Sequence, residues 1–252
     1  MHSPNCSMYN DLMRADSYEI RVCDSCGLRY PLADPHSFGI RCPACLGETR
    51  VTLRVSRMPV TEPDPTRTTP FGYFAGTLPE SRETFPKGSG VGEDWRGELA
   101  VLLDNIRSAW NVGSILRSAD GFGFAHAYLC GITPTPDHES VQKTSLGAEE
   151  SVTWSYHKDA LKLVKALKSE GWRISALEED ERAVAITEAS NARLASAQTS
   201  AQREVLIVGN EVTGVDRELL DQCDTIYYIP MQGQKRSFNV AIAFGIAAYA
   251  LR

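Results

Sequence analysis

Residues 226–250 read IYYIPMQGQKRSFNVAIAFGIAAYA, and this stretch constrains the fold more than any other in the chain. An apolar strand, Ile226 to Ile229, breaks at Pro230-Met231-Gln232-Gly233. Lys235-Arg236, Ser237, Phe238 and Asn239 follow, and the chain then runs almost uninterruptedly apolar to Leu251. A helix that is apolar all round has to be buried, so strand and helix belong to one core. A plain connection needs only a turn. A polar, glycine-bearing loop that ends in Ser-x-Asn has the composition of one that holds something.

The preceding residues extend the pattern. Strand-like segments ELAVLLDNI, AHAYLCG, VTWSYH, WRISALEE and REVLIVGN alternate with helix-like ones. A helix is expected from about Val112 to Gly121. KDALKLVKALKSEG carries Ala160, Leu161, Val164 and Leu167 on one stripe and stops at Gly171. VDRELLDQC reads as a short helix. Strands separated by helices predict an α/β fold with a mainly parallel sheet.

Ahead of this region, Cys23, Cys26, Cys42 and Cys45 form C-x2-C-x15-C-x2-C between two alternating, strand-like flanks, YEIRV and RVTLRVS. The spacing is that of a zinc ribbon. Four thiolates satisfy a tetrahedral, borderline-soft ion, and a closed four-cysteine sphere is structural rather than catalytic. Cys6, Cys130 and Cys223 stand alone and read as inert thiols. Between the ribbon and the α/β region, six prolines precede Gly88, Gly90 and Gly92, a composition that resists regular structure. KGSGVG within it has neither the preceding strand nor the following Lys-Ser/Thr of a phosphate loop. The expected organisation is therefore a zinc ribbon over 1–58, a linker over 59–95 and a catalytic-sized domain over 96–252.

Composition, 42% hydrophobic and 23% charged, is that of a globular protein. No apolar stretch is long enough to span a membrane, and the first residues lack the pattern of a secretory signal, which predicts a cytoplasmic protein. The net charge of −6 divides as +1, −3 and −4 over the three regions. No region carries a strong basic field, so a nucleic-acid partner would have to be held by local patches or by a composite surface.

Three segments carry candidate chemistry. LDNIRSAWNVGSILR offers Asn111 as a cap for the following helix, Gly113 for close backbone approach, and Arg117. VLIVGNEVTG places Gly209, Glu211 and Gly214 directly after a buried strand, where ligands bind in parallel sheets. The third segment is the one quoted first. None matches the dinucleotide fingerprint, which disfavours a nucleotide-dependent oxidoreductase.

In this order and spacing the three segments resemble the SPOUT class of RNA methyltransferases, and more narrowly its SpoU/TrmH family of 2′-O-ribose methyltransferases. Asn111, Gly113 and Arg117 match N-x-G-x-x-x-R. Gly209, Glu211 and Gly214 match G-x-E-x-x-G. Ile229 to Ala241 match I-P-M-x-G-x-x-x-S-L-N-V-A, with Phe238 in place of the usual leucine; KTSLGAEE at 143–150 also resembles a family segment. The resemblance covers about residues 96–252.

It implies a trefoil-knotted SPOUT sheet in which the loops at 209–214 and 229–238 cradle S-adenosylmethionine through Gly209, Gly214, Ile229, Met231 and Phe238. It also implies a homodimer with the site at the subunit interface, an RNA substrate (tRNA or rRNA), and Arg117, Asn111, Glu211, Ser237 and Asn239 as the catalytic set. Because guanidinium is effectively always protonated, Arg117 is better suited to orienting a phosphate and stabilising an oxyanion than to removing a proton. The competing expectation is a catalytically idle knot domain whose ribbon makes it an RNA-binding or ribosome-associated protein; the retained Asn111, Arg117, Glu211, Ser237 and Asn239 disfavour it, and the Phe238 substitution keeps it open.

Overall fold

The computed structural model describes residues 17–33, 40–56, 98–189, 203–235 and 237–252. The expected 59–95 linker lies outside the described residues, as does Arg236.

Strands β1 (Ser17–Cys23), β2 (Arg29–Leu32) and β3 (Thr49–Ser56) form an antiparallel sheet in the order β2-β1-β3. Its small core is Cys23, Leu28, Tyr30, Leu32 and Cys42, and Ile132 of the larger sheet's loops packs against it.

The second sheet has seven strands: β4 (Leu99–Asp104), β5 (His126–Cys130), β6 (Thr153–His157), β7 (Arg173–Leu177), β8 (Val184–Ala185), β9 (Glu204–Val208) and β10 (Thr225–Tyr228). They lie in the order β6-β5-β4-β9-β7-β10-β8, and every neighbouring pair is parallel. The mainly parallel α/β architecture is as the sequence pattern predicts. Strands β4, β5 and β9 are buried at every residue, as expected where both faces of a parallel sheet are covered.

Alternation sorts their side chains to two cores. Val101, Leu103, Leu206 and Val208 meet helices α1 (Ala109–Gly121) and α6 (Val240–Ala250) on one face. Ala100, Leu102, Val205 and Ile207 meet α4 (Ala160–Ser169) and α5 (Arg217–Leu220) on the other. Two short helices, α2 (Glu139–Ser145) and α3 (Ala148–Ser151), lie between β5 and β6.

Helix α1 starts three residues earlier than its apolar pattern suggests. Ser108, not Asn111, is the N-cap, and its hydroxyl accepts from the Asn111 N–H. Asn111 thus sits in the first turn with its side chain free for other partners. Gly113 lets α1 approach α2: a Cβ there would lie 2.4 Å from the Val141 carbonyl oxygen.

Within the chain, helix α6 buries one stripe, Phe244, Ala247, Ala248. Phe244 meets Phe124 edge-on at 5.2 Å between ring centroids, and fully burying such a ring stabilises by about 2–3 kcal/mol. Ile242, Ile246 and Tyr249 on the same helix are exposed. The resemblance implies a final helix buried partly against a second subunit, and a single copy covers this one stripe and leaves the other face bare.

The strand order decides where chemistry can occur. Late strand β9 lies between β4 and β7, with β10 on the far side of β7. The carboxyl ends of β4, β9, β7 and β10 are thereby adjacent, and the loops that leave them face one crevice.

Candidate active site and metal centre

A cavity of about 530 Å³ opens at those strand ends, a size typical of small-molecule sites. Asn111, Gly209, Glu211, Gly214, Ile229, Met231, Ser237, Phe238 and Asn239 all line it. Arg117 does not. It is exposed on α1, beyond the cavity, and makes no hydrogen bond or ion pair with any described residue. A single copy of the chain brings together every other cavity residue the sequence singles out.

The side chains are tied across the chain. Glu211 accepts from the backbone N–H of Arg107 (2.9 Å) and of Ser108 (3.1 Å), and from Asn111 Nδ2 (2.9 Å). A carboxylate accepting three donors is strongly oriented. Asn239 Nδ2 in turn donates to Asn111 Oδ1 at 3.0 Å, while Asn239 Oδ1 caps α6 by accepting from Ala241 N–H. The chain Asn239–Asn111–Glu211 binds the start of α6, the start of α1 and the loop after β9 into one wall. Ser237 and Phe238 are exposed at the rim.

Two glycines shape the floor by what they exclude. A Cβ on Gly209 would lie 2.3 Å from the Val215 nitrogen. Gly214 has φ +74°, and a Cβ there would lie 2.3 Å from Glu178 Oε2. Both positions therefore require glycine.

Two polar residues that the motifs do not single out hold this loop. Asn210, buried, accepts through Oδ1 from Val212 and Thr213 N–H and donates from Nδ2 to the Asn105 carbonyl at 2.7 Å. Glu178, buried after β7, accepts from Val215 N–H at 2.9 Å and from Glu179 N–H, and it lines the cavity. The signal for Glu178 was an acid directly after the buried segment ISAL, where a parallel sheet ends.

In the antiparallel sheet, the sulfurs of Cys23, Cys26, Cys42 and Cys45 all lie within 4.8 Å of one another. The Cys23–Cys45 and Cys26–Cys42 sulfurs are 3.4 and 3.7 Å apart. A tetrahedral ion with metal–sulfur bonds of about 2.3 Å needs sulfurs roughly 3.8 Å apart. Cys26 and Ala44 N–H groups point at the Cys23 and Cys42 sulfurs at 3.4 Å, the outer-shell donors that thiolate ligands use. Donor set and spacing fit a zinc ion.

Comparison with known proteins agrees with the geometry. The family model for the SpoU rRNA methylase family matches residues 98–249. The chain is 28% identical over 152 residues to the 23S rRNA (guanosine(2553)-2′-O)-methyltransferase RlmP of Bacillus subtilis, covering 60% of this chain and 57% of that protein. It spans a little under three fifths of that curated relative. An AdoMet-bound rRNA methyltransferase from Sinorhizobium meliloti superimposes with TM-score 0.55 at 26% identity, over 62% of this chain and 56% of that one. The TrmH/SpoU tRNA-modifying enzyme of A. aeolicus gives 0.53 at 25%, over 61% and 73%. The matched span contains the whole parallel sheet and the cavity at its carboxyl edge, and the chain belongs to the SpoU rRNA methylase family.

Proposed function

We propose that this chain is an S-adenosylmethionine-dependent RNA methyltransferase acting on a ribose 2′-hydroxyl of tRNA or rRNA. The observation that carries the reading is the cavity itself: a floor of Gly209 and Gly214 backbone, apolar sides from Ile229, Met231 and Phe238, and a polar wall of Asn239, Asn111 and Glu211. The AdoMet-bound S. meliloti relative supports the cofactor, and the B. subtilis relative supports the 2′-oxygen as acceptor.

S-Adenosylmethionine would supply an electrophilic methyl group. The chain's own residues orient and enclose. Gly209, Gly214, Ile229, Met231 and Phe238 hold the cofactor. Glu211, fixed by three donors, keeps Asn111 in place, and Asn111 and Asn239 set the polar wall against which the ribose is aligned. Ser237 adds a hydroxyl at the rim. Arg117 stabilises the developing oxyanion and a substrate phosphate as a permanent cation. Because Arg117 faces solvent away from the cavity of its own chain, it acts from a second copy. The exposed Ile242, Ile246 and Tyr249 on α6 supply an apolar face for that homodimer. The loops at 209–214 and 229–238 are the ones the trefoil knot would involve.

The idle-domain alternative draws no support from Phe238, which lines the open cavity at its rim instead of filling it. We further propose zinc in the four-cysteine site, an RNA-affinity contribution from the ribbon, the division 1–58, 59–95 and 96–252, and a cytoplasmic location. Among the described residues no helix is long and apolar enough to cross a membrane.

The test is transfer of labelled methyl from S-adenosylmethionine into fractionated tRNA and rRNA, with Arg117→Ala alongside. Incorporation into one fraction, at the ribose and lost in the variant, supports the reading. Absence of both incorporation and cofactor binding refutes it.

A further inference from the structure

The antiparallel sheet is locked to the catalytic crevice by one buried side chain. Arg29, on β2, is only 5% exposed. Its Nε and Nη2 donate to Asp216 Oδ2 at 2.9 and 2.6 Å, Nη2 also reaches Glu218 Oε2, and Nη1 reaches Thr52 Oγ1 at 3.3 Å. The Arg29 N–H donates to the Lys158 carbonyl, and Ile132 packs into the small sheet's core. The Arg29–Asp216 pair at the centre of the junction is buried, and Glu218 closes it at the partly exposed side.

Asp216 is no remote anchor. It is the N-cap of α5 and immediately follows the loop that makes the cavity floor. Its own N–H reaches Asp104 Oδ2 at 3.4 Å, and the preceding Val215 N–H is held by Glu178. A Cβ on Gly209 would sit 2.3 Å from that same Val215 nitrogen. A displacement of residues 215–216 therefore reaches the cavity floor directly, with no intervening side chain.

We infer that Arg29 is a positioning residue for the cofactor site: the cysteine-bearing sheet, through the Arg29–Asp216 pair, holds the 209–216 loop in its binding conformation. The N-terminal sheet is then part of the methyl-donor site's support as well as any RNA surface. The inference rests on the reading of the cavity as the S-adenosylmethionine site.

The experiment uses the full chain. S-Adenosylmethionine binding is titrated calorimetrically for the native protein, Arg29→Met, Arg29→Lys and the exposed-pair control Arg54→Ala, with zinc content measured for each. Amide hydrogen exchange across 209–216 is followed without ligand. Arg29→Met should weaken binding about tenfold at a stoichiometry still near one, within the range usual for coupled neighbours. Arg29→Lys, which keeps the charge but not the fork geometry, should fall between. Exchange over 209–216 should accelerate in Arg29→Met with zinc retained, and Arg54→Ala should match the native chain. A purely structural effect would lower the stoichiometry and leave Kd unchanged, which overturns the inference. So does a Kd within twofold of native for both Arg29 variants. Should Arg29→Met fail to fold, the Arg29→Lys affinity and exchange decide. If the native chain binds no S-adenosylmethionine, the cofactor reading falls, and the exchange data still decide whether Arg29 holds the loop.

Discussion

Asn111 and Glu211, a hundred residues apart in sequence, are joined by a 2.9 Å hydrogen bond from the amide Nδ2 to the carboxylate Oε1. The same carboxylate caps the backbone at Arg107 and Ser108, so one side chain closes the loop after β4 onto the loop after β9. Glu211→Ala leaves three donors without their acceptor. The expected loss is about 2–3 kcal/mol in urea unfolding, together with methyl transfer. Glu211→Gln, which keeps one carbonyl acceptor, should lose roughly half as much. Equal stability of Glu211→Ala and the native chain would show that the bonds are replaced by water without cost.

Gly209→Ala and Gly214→Ala place a methyl against Val215 and Glu178 respectively. Each is expected to reduce S-adenosylmethionine affinity by about tenfold or more, and to cost on the order of 2 kcal/mol. Gly121→Ala, which meets nothing within 4 Å at the end of α1, is the control and should be neutral or slightly stabilising. Native-like affinity in Gly209→Ala would move the cofactor away from this floor.

Asp104 is fully buried, and burial, with the Asp216 carboxylate beside it, pushes its pKa up to about 7. Arg29 and the Asn105 amide act in the opposite direction without cancelling the shift. Between about pH 4 and pH 7 the unfolded chain has released this proton while the folded chain keeps it. Stability from this group therefore falls as pH rises through that window, by on the order of 4 kcal/mol, and levels off above it. Asp104→Asn, which resembles the protonated acid, should flatten the urea-unfolding profile between pH 5 and pH 7 and be the more stable protein at pH 8. An unchanged slope would assign the pH dependence elsewhere.

On the proposed homodimer, Ile246→Glu puts a charge into the exposed apolar face of α6 and should yield a monomer where the native chain sediments as a dimer, with methyl transfer lost. If Arg117 serves the cavity of a second copy, equal amounts of Arg117→Ala and Glu211→Ala, each inactive alone, should recover about a quarter of native activity on mixing. Half of the random dimers then carry one intact site. No recovery, with subunit exchange verified, would return Arg117 to its own chain's site.

One zinc per chain is expected by metal analysis. Chelation should collapse hydrogen-exchange protection of Ser17–Cys23 and Thr49–Ser56 while much of the seven-stranded sheet keeps its own, because the small sheet's core is only Cys23, Leu28, Tyr30, Leu32, Cys42 and their neighbours. Full protection in metal-free protein would mean that the sheet stands without an ion.

Much of this molecule is legible in one dimension. The parallel sheet follows from buried runs such as LAVLLD and EVLIV separated by amphipathic helices, and the four-cysteine centre follows from spacing alone. The cavity glycines were legible as types, since a Gly after a buried strand marks close backbone approach. Asn111's partner was not: Asn favours helix starts, which suggests a cap, yet Ser108 takes that place and frees the amide for Glu211. Helix α6 shows a similar limit. Its composition announces burial, but packing against α1 and Phe124 covers one stripe and leaves Ile242, Ile246 and Tyr249 bare.

By itself the sequence determined the element types, the cluster of four cysteines that could hold a metal ion and the motif residues that line the cavity, because propensity, periodicity and spacing are local properties. Only the tertiary structure decided that Arg29 of the small sheet is buried against Asp216, that Glu178 and Asn210 hold the cavity loop, and that Arg117 stands outside the cavity its motif belongs to. The juxtaposition of Glu178 with the 209–216 loop arises from the insertion of β9 between β4 and β7. Strand order depends on which distant segments bury each other best, and no local pattern encodes that choice.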